Sequence, residues 1–244
     1  MLPQSAIRAD TFPRSPTLVS PTPVPPPRSA PPLATRALDG ASGPLAQTMR
    51  LMGAKMSYPR HTEIFGENEP ADYIYKVVSG CVRTYKILRD GRRQIGGFYL
   101  PGDIFGLEFT NAHTLSAEAI ADTKVLVVKR RALNALAGRE AAIARDLFTL
   151  TGRELERVQD RILLLIKSAQ ERVAGFLLEM ADRVSAGDAV ELPMSRQDIA
   201  DYLGLTIETV SRTLTSLECS AAIEVPTSRR IILRNRSALN RMNG

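Results

Sequence analysis

Glu208, Ser211 and Arg212 fall at i, i+3 and i+4, so on a helix they project together from its first turns. That combination can read base edges. Arginine donates two bonds to guanine, a carboxylate accepts from the amino group of cytosine, and a serine hydroxyl fits several edges. The elements that must hold the triplet are written in its neighbours. Ser195 is placed to cap a first helix that turns Ile199, Ala200 and Leu203 inward, and Gly204 supplies the left-handed residue that stops it. Thr206 caps a second helix, whose Val210, Leu214 and Leu217 at i, i+4 and i+7 form the face that packs on the first. Ser195, Thr206 and Thr209 join the triplet as candidate DNA contacts. The plainer account of Glu208 and Arg212 is a surface ion pair on an ordinary amphipathic helix.

Downstream, Ile223 to Val225 and Arg230 to Leu233 are β-rich runs around Pro226-Thr227-Ser228-Arg229. They predict a hairpin wing behind the second helix, with Arg229 and Arg230 where phosphates can be met. The run Ser195-Arg196-Gln197-Asp198-Ile199-Ala200-Asp201-Tyr202-Leu203-Gly204-Leu205-Thr206-Ile207-Glu208-Thr209-Val210-Ser211-Arg212 resembles the winged helix of the CRP/FNR family of transcription regulators. Its Glu-x-x-Ser-Arg arrangement is that of the FNR branch, and the run as a whole is most similar to FixK-type members. The similarity continues through Ile162-Leu163-Leu164-Leu165 and Glu171-Arg172-Val173-Ala174-Gly175-Phe176, and covers most of the chain after about residue 45. The resemblance implies an α+β fold with an N-terminal β-roll, a long dimerisation helix and a C-terminal winged helix-turn-helix.

A length of 244 residues holds two domains with cores of their own. No apolar run approaches a membrane span and no charged-then-apolar leader is visible, so no membrane partner and a cytoplasmic location are expected. Cys81 and Cys219 are far apart and form no C-x-x-C pair, which argues against a disulfide framework. The same count excludes the four-cysteine iron-sulfur cluster by which FNR itself senses oxygen. His61 and His113 are isolated, and haem ligation by either is a minor alternative. The net charge of +6 is not concentrated in the DNA-reading region, where residues 168–244 hold nine arginines against ten carboxylates. From Glu224 onward, however, five arginines face one glutamate, a local basic strip.

Four segments follow. Residues 1–44 hold eleven of the sixteen prolines and form a Pro-rich tail without helices or paired strands. Residues 45–130 are the roll. Within them Tyr73 to Val78, Val82 to Leu88, Gln94 to Leu100 and Lys124 to Val128 are β-rich, separated by the turns Ser79-Gly80, Arg89-Asp90-Gly91 and Pro101-Gly102-Asp103. In the family this roll binds cyclic AMP, and Pro101 to Gly106 resembles the approach to its pocket. The family's ribose-binding glutamate and phosphate-binding arginine correspond here to Leu107 and Leu115, with Glu108 one position off. No cyclic AMP and no cofactor are therefore expected.

Residues 131–167 form the dimerisation segment, helical from Ala141 to about Lys167. Ala144, Phe148, Thr151, Leu155, Val158, Ile162 and Leu165 recur at steps of four and three, the seam of a coiled coil. The alternative is a helix packed on its own roll, with Leu147, Leu163 and Leu164 contributing. Residues 168–244 are the winged helix, and a two-fold dimer would present two recognition helices about one DNA turn apart.

The reading is a homodimeric, sequence-specific regulator of double-stranded DNA. The resemblance implies activation of low-oxygen respiration and nitrogen-fixation genes through a palindrome of TTGA and TCAA half-sites. It also implies an RNA polymerase contact at the turn Asp90, Gly91 and Arg92. The competing reading is a small-molecule-switched regulator with an unusual effector in the roll. An enzyme is not indicated, because no nucleophile, base and orienter set is present. Cys219, at the end of the recognition helix, is a redox site if exposed and a filler of the helix end if half-buried.

Overall fold

The computed structural model describes residues 43–164, 166–184 and 189–243, so the Pro-rich segment lies outside the described residues except for its last two positions. A short helix, α1 (Pro44–Met52), opens with proline at its first position, where the missing N–H removes no helical bond. Eight strands follow: β1 (Ala54–Tyr58), β2 (Glu63–Phe65), β3 (Tyr73–Ser79), β4 (Val82–Ile87), β5 (Arg93–Tyr99), β6 (Ile104–Phe105), β7 (Ser116–Ala119) and β8 (Thr123–Lys129). They form two antiparallel sheets, ordered β1-β8-β3-β6 and β2-β7-β4-β5. Phe65, Tyr75, Val77, Val82, Phe105 and Val125 come from both sheets and fill one core, with the Tyr75 and Phe105 rings stacked at 5.0 Å. The β-rich runs seen in the sequence are β3, β4, β5 and β8, each within one residue at either end. β1, β2, β6 and β7 went unseen. β2 and β6 are too short to show alternation, β1 is almost wholly exposed, and the Ser-Ala-Glu-Ala of β7 lacks branched and aromatic side chains.

Then come α2 (Arg130–Ala137), α3 (Ala141–Leu164), α4 (Ala169–Val184), β9 (Ala189–Glu191), α5 (Arg196–Leu203), α6 (Ile207–Cys219), β10 (Ile223–Thr227), β11 (Arg230–Leu233) and α7 (Arg236–Asn243). The dimerisation segment expected over 131–167 is thus two helices. α2 stops where the Gly138 amide donates back to the Asn134 carbonyl at 3.1 Å. The first turns of α3 pack Ile143, with Leu147 and Leu150, onto Leu45, Met49, Ile74 and Leu133. Leu163, expected to help that packing, is instead exposed, and Leu165 lies outside the described residues. Phe148, Leu155, Val158 and Ile162 form an uncovered apolar stripe, Phe148 being 82% and Ile162 59% exposed.

The predicted wing is β10 and β11, extended by β9 into a three-stranded sheet ordered β10-β11-β9. Pro226 lies inside β10. It has no N–H for the ladder, and the register shifts between Glu224 and Thr227. The turn is correspondingly tighter than the sequence suggested, with Thr227 paired to Arg230.

One apolar core runs from the β5 face of the roll into the C-terminal elements. Ile95, Phe98, Leu100 and Ile120 meet Phe176, Leu177, Ile199 and Leu203 in a single cluster. Phe98 stands edge-on to Phe176 at 6.3 Å and lies 5.2 Å from the Tyr202 ring. Cys81 is fully buried in the same cluster, and burial pushes its thiol well above the usual range, so it is filler and not a nucleophile. Phe98→Ala is expected to cost about 3–5 kcal/mol in urea denaturation. The ring does not hold the junction if the loss is under about 1 kcal/mol.

Candidate nucleic-acid interface

α5 begins with a complete capping box. The Ser195 hydroxyl accepts from the Asp198 amide at 3.1 Å and donates to Asp198 Oδ2 at 2.8 Å, while that oxygen accepts the Ser195 amide at 3.0 Å. The other oxygen, Asp198 Oδ1, faces the roll and accepts from Arg83 Nη1 at 2.5 Å and Arg93 Nη2 at 2.7 Å. Arg93 Nε also donates to Asp201 at 2.7 Å, Gln94 donates to the Asp201 carbonyl at 2.8 Å, and Arg83 Nη2 donates to Glu118 at 2.8 Å. The first helix of the pair is therefore clamped to β4 and β5, with Arg83 held in turn by Glu118 of β7. Burial pushes the Asp198 carboxyl up, but the Ser195 donors and the two guanidiniums outweigh it and hold it below the usual carboxylate range. The spacing Ser-x-x-Asp was visible in the sequence as an N-terminal signature; its partners on the roll were not.

The turn is as the sequence predicts. Gly204 adopts φ 64° and ψ 38°, the Leu205 amide returns to the Ala200 carbonyl, and Arg172 Nη1 donates to the Leu203 carbonyl at 3.0 Å. Thr206 then caps α6, accepting from the Thr209 amide at 3.2 Å, with the two threonine hydroxyls 3.1 Å apart. Val210, Leu214 and Leu217 are buried against α4 and α5, and Thr213 is buried beside them. With that face fixed, Glu208 and Arg212 are exposed and Ser211 is half-exposed. The Glu208 carboxyl lies below the usual range, through its own amide and the Thr206 hydroxyl. The structure brings the triplet together on one open face.

A residue not singled out from the sequence stands beside it. Arg196, the first residue of α5, donates from Nη1 to the Ser211 hydroxyl at 3.3 Å, joining the two helices across their polar edge. No periodic signal marks such a contact.

The basic strip is more neutral than its sequence. Arg230 lies 3.5 Å from Glu191, and Arg234 and Arg236 pair with Glu224 and Asp182. Arg229 sits in the turn, half-exposed, its carbonyl accepting from Leu192 at 2.7 Å. Cys219 is exposed, not half-buried, at the last residue of α6.

On the roll, Asp90 and Arg92 form a 2.7 Å pair on an exposed hairpin tip, and Gly91 adopts φ 81°. Leu115 reaches Gly96 so closely that a Cβ there would lie 2.5 Å from its Cδ1, and Leu107 packs on the α1 and α3 cluster. Glu108 turns to His113, Oε1 to Nδ1 at 2.9 Å, while the His113 ring stacks on Phe65 at 3.5 Å. His61 lies 3.3 Å from Glu118. Among the described residues, no group of three or more His, Cys, Asp or Glu side chains can hold a metal ion, and no helix is long and apolar enough to cross a membrane.

Residues 171–242 match the family model of a Crp-like helix-turn-helix domain, and residues 55–140 that of a cyclic nucleotide-binding domain. The nitrogen fixation regulation protein FixK of Azorhizobium caulinodans is 50% identical over 204 residues, 81% of this chain and 82% of that one. The protein of the same name in Bradyrhizobium diazoefficiens is 42% identical over 71% of this chain and 76% of its own. The solved structure of FixK2 from Bradyrhizobium japonicum is similar with a TM-score of 0.77 and 51% identity, covering 79% of this chain and 98% of that one.

Removing Asp198 takes away both a cap and the partner of two guanidiniums. Asp198→Ala is expected to cost about 3 kcal/mol or more at pH 7, because it leaves buried charge uncompensated. A carboxyl depressed in the fold contributes fully above its unfolded pKa of about 3.9, and that stability is lost as pH falls through the folded value. The gap between wild type and variant should therefore narrow on acidification below about pH 3.9 in denaturant titrations; a gap independent of pH would exclude the ionised carboxylate as its source.

Proposed function

The chain belongs to the CRP/FNR family of transcription regulators, in its FixK-type branch, and from that premise we propose that it works as a homodimer on a palindrome of TTGA and TCAA half-sites. It is a helix-turn-helix DNA-binding regulator and not an enzyme. The observation that carries the reading is the open face of α6, where Glu208, Ser211 and Arg212 stand clear while the opposite face is locked into the core. Arg212 reads the half-site guanine and Glu208 the amino edge of a cytosine. Arg229 and Arg230 meet phosphates from the wing, Arg230 sharing its charge with Glu191. Ser195, Thr206 and Thr209 line the groove edge, where their backbone caps also hold the helices.

The relatives' printed names support nitrogen fixation as the regulated process; low-oxygen respiration as a second target and a cytoplasmic location complete the reading. Activation proceeds through RNA polymerase at the exposed tip of Asp90, Gly91 and Arg92. The exposed Cys219 lies near the DNA backbone, where oxidation to an acid would oppose phosphate. No cyclic AMP is used. Leu107 and Leu115 give that reading its support, together with the cavity between β4, β5 and α3, which measures about 170 Å³. Ordinary ligand pockets begin at about 300 Å³, which also weighs against a larger effector at that place.

The deciding experiment is selection of DNA from a random pool by the purified protein, which should return the palindrome. Arg212→Ala is expected to lose about 1–3 kcal/mol of specific binding and to relax preference at the guanine. An unaltered preference would remove Arg212 from its role. Pairing rests on the α3 stripe. Leu155→Glu with Ile162→Glu should give a folded monomer with poor affinity for the full palindrome, read by analytical ultracentrifugation. A dimer persisting at low micromolar concentration would place the interface elsewhere.

A further inference from the structure

The Ser211 hydroxyl is the least committed member of the recognition triplet, since a hydroxyl both donates and accepts and so fits many base edges. Its surroundings remove part of that freedom. A guanidinium has donors only, so the 3.3 Å contact is Arg196 Nη1–H donating into a lone pair of Ser211 Oγ. Among the described residues, Arg196 is the only group bonded to that hydroxyl. Four residues on, Thr215 directs its own hydroxyl back to the Ser211 carbonyl at 3.1 Å, the ordinary fate of a helical hydroxyl. Ser211 is not folded back in this way. One lone pair is occupied by a cation, and its O–H is left uncommitted to the helix backbone.

A second observation comes from Arg196 itself. Its Nε is buried and has no hydrogen-bond partner, although its Nη1 is engaged. A guanidinium aimed only at a phosphate would keep its inner donor in solvent. Here the inner donor is shut away from solvent while the outer one reaches across from α5 to Ser211 on α6.

We propose that Arg196 is a positioning residue for base recognition: it polarises the Ser211 hydroxyl and fixes it as a hydrogen-bond donor toward an acceptor edge, such as thymine O4 or a purine N7. The proposal rests on the reading of α6 as the recognition helix. It predicts a preference at one base pair of each half-site that depends on two side chains, only one of which touches the base. A cationic donor strengthens the hydroxyl as a donor and weakens its remaining lone pair as an acceptor, so edges offering an amino group there are disfavoured.

The test uses the full-length protein and a set of palindromes varied at one base pair at a time, with affinity measured over a range of salt concentrations. Arg196→Ala should flatten the preference by about fivefold at the one base pair that Ser211→Ala also flattens. The double variant should lose no more than either single one at that position. Arg196→Lys keeps the charge and the first turn of α5, but a lysine point charge does not reproduce a fixed planar donor. It should flatten the same base pair while keeping the wild-type salt dependence, and thermal unfolding establishes that the variants are folded. Equal weakening of every site by Arg196→Ala, with a shallower salt dependence, would identify a phosphate contact and overturn the proposal. Wild-type preference in Arg196→Lys would overturn it as well. If Ser211→Ala changes the preference and Arg196→Ala does not, this proposal alone fails. If Ser211→Ala changes nothing, the base-reading role of Ser211 fails with it.

Discussion

The carboxylate of Asp198 is shared between two tasks that lie on opposite sides of it. One oxygen closes the capping box that starts α5, and the other receives two guanidiniums from the roll. A helix N-terminus already favours negative charge, so the same anion is held both by the peptide dipoles behind it and by Arg83 and Arg93 in front. Its 7% exposed side chain makes the arrangement stiff, because a charge removed from water must keep every partner it has. The position of α6 depends on α5, and that of α5 depends on this contact and the Phe98 cluster below it.

The two parts of the junction contribute differently. The apolar cluster around Phe98, Phe176 and Tyr202 supplies burial, which has no preferred direction. The ionic group of Arg83, Arg93, Asp198 and Asp201 supplies direction, since each bond has a required angle and length. Together they fix not only that the roll and the helix pair touch but in which orientation. That orientation also brings the hairpin tip at Arg92 beside the first turn of α6, so that Arg92, Gln197, Glu208 and Thr209 line one groove.

The helix pair, its caps and the stop at Gly204 were legible in the sequence because each rests on residues within four positions of one another. The longer strands of the roll were legible for a similar reason, being runs rich in branched and aromatic residues bounded by turn residues. What escaped were features that chain separation hides. Asp198 meets Arg83 across 115 positions and Arg196 meets Ser211 across 15, and neither spacing leaves a periodic trace. Short strands such as β2 and β9 exist because a longer partner pairs with them, a tertiary cause with no local signal. The arginines after Glu224 misled in the opposite direction, since a count of charges does not reveal that Glu191, Glu224 and Asp182 stand next to three of them.

Leu115 lies against Gly96 within the stretch that matches a cyclic nucleotide-binding domain, so the chain fills that space with its own side chain. On the proposed reading that no cyclic nucleotide is used, the quantity that sets this regulator's output is its own abundance. Under the paired reading of the α3 stripe, the species that grips DNA needs two chains, and while most chains are single its amount grows with the square of their concentration. Doubling synthesis then raises promoter occupancy about fourfold at the low end, and a protease that halves the supply lowers it as steeply. The stoichiometry of pairing would thus act as the amplifier that a bound ligand provides elsewhere.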